Sequence, residues 1–241
     1  MPHRRLFPAS GHAFALVAAM LAAFAASDCA GFQSARDGIL SGTLSSPEAG
    51  TPSRAGATVG EIMSDARGTY IDRLLADRDS TIERWPNHVA QPLRVWIDSS
   101  STVGGAQASF PAAVRAAFGQ WVSTGIPLRF TFVSSSRDAD VKVHWTSYLS
   151  HKTGSTTWRT DDNGWLLSGD ITLATHISDG HPLDGRGMRA IALHEVGHAL
   201  GLSHSTDAAD IMAPLVRVDG LSPADRNTIR LLYSLPAGRV R

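Results

Sequence analysis

The chain has 241 residues, 43% of them hydrophobic and 18% charged, with a formal net charge of zero. That length and composition support one globular domain with a sizeable core, and zero net charge gives no electrostatic footprint for nucleic acid or an anionic membrane surface. The single cysteine excludes a disulfide framework within the chain and a zinc site of several thiolates, so any metal must rest on histidine and carboxylate.

Residues 1–27 read as a secretory signal peptide: basic "MPHRR", an uncharged apolar run over 13–25, then small residues. The run is shorter than the ~20 residues a spanning helix needs. No integral membrane domain is expected, and the location is secreted, either extracellular or periplasmic. Cys29 lies near the expected cut and offers a lipid tether as the lesser alternative, although Asp28 before it fits a lipoprotein signal poorly. Residues 28–87 read as a low-complexity linker or propeptide-like segment. Ser, Gly, Ala, Pro and Thr dominate 31–60, and 61–85 has room for one short amphipathic helix.

A compact domain is expected over 88–236. "PLRVWID" (92–98) alternates like a half-buried strand. Residues 109–125 follow with Ser109 as N-cap, Pro111 in the first turn, apolar residues at helical spacing and Gly125 at the end, which predicts an amphipathic helix. "LRFTFV" and "ADVKVHW" read as strands, a polar loop comes next, and 164–175 holds one or two more strands. A helix over 185–201 stops at Gly201, and a last helix over 222–233 opens on "SPAD", with Ser at the N-cap and Pro at the first helical position. Strands first and helices late make an α+β or mixed α/β domain.

The chemistry concentrates in "ALHEVGHALGLSHS". Residues four apart on a helix are rotated by only ~40°, so His194 and His198 project from one face, one turn apart. Two imidazoles so placed can share a zinc ion at ~2.0–2.1 Å. Glu195 is rotated ~100° from His194 and flanks the pair as a candidate general base. Gly201 ends the helix and lets His204 return as a third ligand, which leaves a fourth position open, the catalytic rather than the structural pattern. A lone histidine on an apolar helix is most often a satisfied core residue. Five fixed positions together arise by chance only about once in ten million starts.

The longer pattern H-E-x-x-H-x-x-G-x-x-H followed by a Met-turn is the metzincin signature, and "DIMAP" supplies the methionine, Met212. Within that group the chain resembles the matrixin family, the matrix-metalloprotease-like peptidases, over roughly 88–233. The similarity lies in "HEVGHALGLSHSTDAADIMAP", "FPAAVRAAFGQWVSTGIPLRFTFV", "ADVKVHW" and "LSPADRNTIRLLY".

The resemblance implies a metzincin-like α/β fold: a twisted, mostly parallel five-stranded sheet, three helices and an active-site cleft across the domain. It implies a zinc endopeptidase with one catalytic Zn2+ held by His194, His198 and His204, Glu195 as general base, and Met212 as the floor. It also implies that an extended peptide or protein substrate pairs with a sheet-edge strand, for which part of 164–173 is the candidate. Three departures stand out. No zinc-capping cysteine motif is present, and Ala213 stands where the family has Tyr, which opens the specificity-pocket wall. His151, Asp161, Asp162, Asp170 and His176 occur where relatives hold a second, structural zinc, but without the family spacing, and Ca2+ is only weakly supported by these acids. The alternatives are a catalytically weak zinc-binding adhesion or interaction module and a small-peptide or amide hydrolase.

Overall fold

The structure is a computed structural model that describes residues 58–99 and 102–240. The expected signal peptide, Cys29 and the linker up to residue 57 lie outside the described residues.

The central sheet has the order β3-β2-β4-β6-β5, built from β2 (His88–Ile97), β3 (Leu128–Val133), β4 (Val141–Thr146), β5 (Gly154–Thr160) and β6 (Leu166–Ala174). β3, β2, β4 and β6 run parallel, and β5 alone is antiparallel, paired in register from Gly154 with Leu173 onward. The mostly parallel five-stranded sheet that the family resemblance implies is therefore present. Its strand patterns follow from burial: β4 alternates, with Val141, Val143 and Trp145 inward and Lys142 and His144 outward.

The edge strand is not the one expected. Part of 164–173 was the candidate, but β6 sits between β4 and β5 with partners on both sides. The edges are β3 at one end and, on the β6 side, β5, which lies within the stretch that reads as a polar loop. Its sequence, "GSTTWRT", has one large apolar residue because an edge strand with one solvated face needs little else.

Helix α3 (Phe110–Val122) buries Phe110, Ala113, Val114, Ala117, Phe118 and Trp121 along one stripe. Each such large side chain contributes roughly 1.5–3 kcal/mol of burial. Ser109 takes the N-cap position without a side-chain hydrogen bond. Helix α4 (Gly185–Ala199) opens on Asp184, which accepts from the Gly187 N–H. Trp121 on α3 donates its Nε1–H to the Leu193 carbonyl on α4 at 2.9 Å, so the two helices are locked in rotation as well as packed. Helix α5 (Pro223–Ser234) carries the expected Ser222 cap, completed to a capping box by Asp225. These are the three helices of 88–236. Among the described residues no helix is long and apolar enough to cross a membrane.

The folded unit also reaches upstream of His88. Helices α1 (Val59–Ser64) and α2 (Ile71–Asp77) and the short strand β1 (Thr81–Ile82) precede it. Ile62, Tyr70, Ile71, Leu74, Leu75, Ile82 and Trp85 all enter the core. β1 pairs antiparallel with β7 (Gly238–Arg239). The low apolar content of 31–60 gives no sign of this; among the described residues, the first buried one is Ile62.

Candidate metal centre and cleft

The C-terminal half of α4 is buried on every side, from Ala192 to Ala199. That explains its composition: Ala, Leu, Val and Gly wherever a polar group is not required. On this helix the His194 and His198 Nε2 atoms stand 3.1 Å apart, and the His204 Nε2 is 3.1 Å from that of His198. The three rings offer ligand atoms that all lie within 4.8 Å of one another. Corners of a tetrahedron of ~2.0–2.1 Å bonds are about 3.3 Å apart, so the spacing fits a metal ion bound at the centre.

Two backbone carbonyls settle which nitrogen faces inward. His194 Nδ1 lies 2.7 Å from the Ile211 carbonyl and His198 Nδ1 lies 2.8 Å from the Leu202 carbonyl. A carbonyl only accepts, so each Nδ1 carries the proton and each Nε2 keeps a lone pair for the centre. Burial holds the rings neutral: it pushes His194 down to about 4, His198 well below the usual imidazole range, and His204 downward. Three neutral imidazole donors are the set that suits zinc.

Gly201 has φ +101, and a Cβ there would collide with the Glu83 carbonyl oxygen, so only glycine fits. The reversal brings His204 back toward α4. Met212 is fully buried, and a Cβ on Gly197 would collide with its Sδ and lie 2.9 Å from Trp121 Cζ2. The methionine therefore packs directly against α4 between the two helical histidines. Behind it, the turn is tied to α5. Asp225 accepts from the Ile211 N–H at 2.9 Å, the Ser222 N–H at 2.8 Å and the Tyr70 hydroxyl at 3.0 Å. Asp210 accepts from the Ser205 hydroxyl and, at 2.6 Å, from the Ser222 hydroxyl.

Glu195 is 5% exposed and does not join the three rings. Its Oε2 accepts the Thr156 hydroxyl of β5 at 2.6 Å, and its side chain fills the space where Gly154 has no Cβ. Burial pushes its pKa up to about 7, against the lowering effects of the Thr156 hydrogen bond and the Lys152 charge. A carboxyl held near neutrality beside three imidazoles can take and return a proton. Gly154 and Thr156 were not legible in the sequence, since neither residue type at that place signals a carboxylate seat.

The other titratable candidates do not converge. Asp161 caps its own turn, accepting from the Asn163 and Trp165 N–H groups at 2.9 and 2.8 Å. Asp170 lies 3.6 Å from His144, His176 stacks on Tyr148, and His151 occupies a left-handed turn at φ +58. Asp162 is exposed. Among the described residues the three histidines are the one group of metal-binding side chains.

Residues 91–234, well over half of the chain, match the model of the matrixin peptidases. The chain belongs to the matrixin family. Among curated proteins this matrixin is 28% identical over 148 residues to Metalloendoproteinase 1 of Glycine max, covering 53% of the chain and 46% of the relative. It is 30% identical over 153 residues to the probable matrix metalloproteinase 095L of Invertebrate iridescent virus 3, covering 57% and 39%. It is 31% identical over 128 residues to Stromelysin-3 of Rattus norvegicus, covering 46% and 24%. The matrixin chain thus spans less than half the length of each of these relatives.

Proposed function

We propose that this matrixin is an exported, zinc-dependent endopeptidase, with His194, His198 and His204 as ligands and Glu195 as general base. The observation that carries the reading is the convergence of three imidazoles with a buried carboxyl, Glu195, seated beside them by Thr156. When bound, zinc supplies Lewis acidity, polarising a carbonyl and making water easy to deprotonate. His194 and His198 hold their inward lone pairs by donating Nδ1–H to Ile211 and Leu202. Glu195 Oε1 takes the proton of the attacking water and returns it to the leaving amine, while Oε2 stays on Thr156. Met212 shapes the base without touching substrate.

The outer edge of β5 has no strand partner among the described residues, and it adjoins Glu195 through Gly154 and Thr156. An extended peptide adding to that edge would lie alongside the reacting groups. This supports a protein or peptide substrate. The order of residues 1–27 supports export. Calcium has no cluster to support it among the described residues.

The test is zinc content per chain together with cleavage of a fluorogenic peptide library, for wild type, Glu195→Ala and His198→Ala. Glu195→Ala should keep zinc and lose ~10²–10⁴ in rate. His198→Ala should lose the metal and some stability. Near wild-type activity in Glu195→Ala would sink the mechanism. One zinc per chain with no cleavage of any peptide would favour the adhesion or interaction module, and cleavage confined to dipeptides or amides would favour the small-substrate hydrolase.

A further inference from the structure

Residues 78–85 touch the turn after α4 and the edge strand β5 at once. At the end of α4, the Trp85 Nε1–H donates to the Ala199 carbonyl at 2.8 Å, and the Glu83 carbonyl fills the space beside Gly201 that a side chain would need. That is the turn that delivers His204. On the opposite side, the Trp158 Nε1–H of β5 donates to Glu83 Oε2 at 3.0 Å. Arg78 pairs with the same carboxylate at 3.6 Å and lies over the Trp158 ring at 5.1 Å from its centroid. Arg84 continues the bridge: its backbone N–H and C=O bond Gly164 and Leu166 at the start of β6, and its Nε donates to the Leu235 carbonyl.

We infer that residues 70–85 are a permanent part of the folded domain, bridging the histidine turn and β5, rather than a removable leader, and that Glu83 and Arg78 are positioning residues. They fix edge strand β5, through Trp158, against the turn that carries the third histidine. The kinetic consequence rests on the endopeptidase reading; the structural one does not. Substrate pairs with β5, so loosening that strand weakens peptide binding more than it disturbs the reacting groups. Both ends of the segment are held by core burial at Tyr70, Ile71, Leu74, Ile82 and Trp85. A maturation cut that preserves the fold must therefore fall before Tyr70.

The experiment uses the full chain as expressed. N-terminal sequencing and intact mass of the zinc-loaded species should place its start upstream of Tyr70. A folded, zinc-loaded species beginning beyond Tyr70 would overturn the inference. Glu83→Ala should raise KM about five- to tenfold, the scale of one lost hydrogen bond with its charged partner, with kcat within twofold and zinc unchanged. Amide hydrogen exchange of residues 154–160 should speed up about tenfold. Glu83→Gln keeps an acceptor oxygen for Trp158 and should recover most of both effects. Unchanged exchange in Glu83→Ala, or equal damage in the Ala and Gln variants, would overturn the positioning role. A wild type that cleaves no peptide removes the endopeptidase reading, and hydrogen exchange and the mature N-terminus still decide this one.

Discussion

Gly154→Ala isolates the seat of Glu195, the proposed proton carrier. A Cβ at residue 154 would lie 2.5 Å from Glu195 Cγ and 2.6 Å from Glu195 Cδ, against ordinary carbon–carbon contacts of about 3.5–4.0 Å. Residue 154 is in an extended strand, where alanine is at ease. Relief must come from the obstructing atoms, which all belong to one flexible side chain, so the carboxyl swings by about 1 Å. A displacement of that size from productive geometry costs ~10²-fold in rate. The three ligating rings are not among the obstructed atoms, and the stability change should stay near 1 kcal/mol. Steady-state cleavage of a fluorogenic peptide, zinc analysis and thermal melting of the same preparation give the three readouts. The reasoning is refuted if Gly154→Ala turns over at the wild-type rate, or if its loss of rate follows a loss of zinc.

Three further outcomes follow from the same contacts. Thr156→Val removes the hydroxyl at 2.6 Å from Glu195 Oε2 and should lower kcat about tenfold with KM unchanged, whereas Thr156→Ser should keep most of the rate; equal loss in both variants would count against it. Gly197→Ala drives a methyl group into Met212 Sδ and Trp121 and should cost about 1–3 kcal/mol of stability, read as a fall in denaturation midpoint without change in slope. Asp225→Ala leaves the Ile211 and Ser222 N–H groups and the Tyr70 hydroxyl without their acceptor. It should destabilise by about 3–5 kcal/mol and weaken zinc retention through the Ile211 carbonyl, while Asp225→Asn, which keeps one oxygen, should be milder.

What could be read in advance divides along a physical line. His194, His198, Gly201, His204 and Met212 were legible because a helix and one turn fix their spacing, so sequence distance stands in for spatial distance. The helical stripes of α3 and α5 and the alternation of β4 were legible because one buried face imposes a period. β5 was not, since an edge strand seated on α4 through Gly154 and Thr156 needs small and polar residues that imitate a loop. The seat of Glu195 depends on a contact 39 residues away, and no local pattern encodes such a contact. The core role of Tyr70 depends on α5, where its hydroxyl meets Asp225 at a separation of 155 residues.

That last separation governs when the domain can be finished. Tyr70 waits for Asp225, and β1 waits for Gly238 and Arg239 of β7. The Ile211 carbonyl that orients His194 is itself held by Asp225. Contacts between distant parts of a chain form late, after the entropy of closing the intervening loop has been met. A nascent chain emerging from the ribosome therefore carries both helical histidines long before anything can set their tautomers. Competence to bind the metal therefore waits until residues 211–239 have been made, so a chain synthesised only through α4 lacks a finished centre.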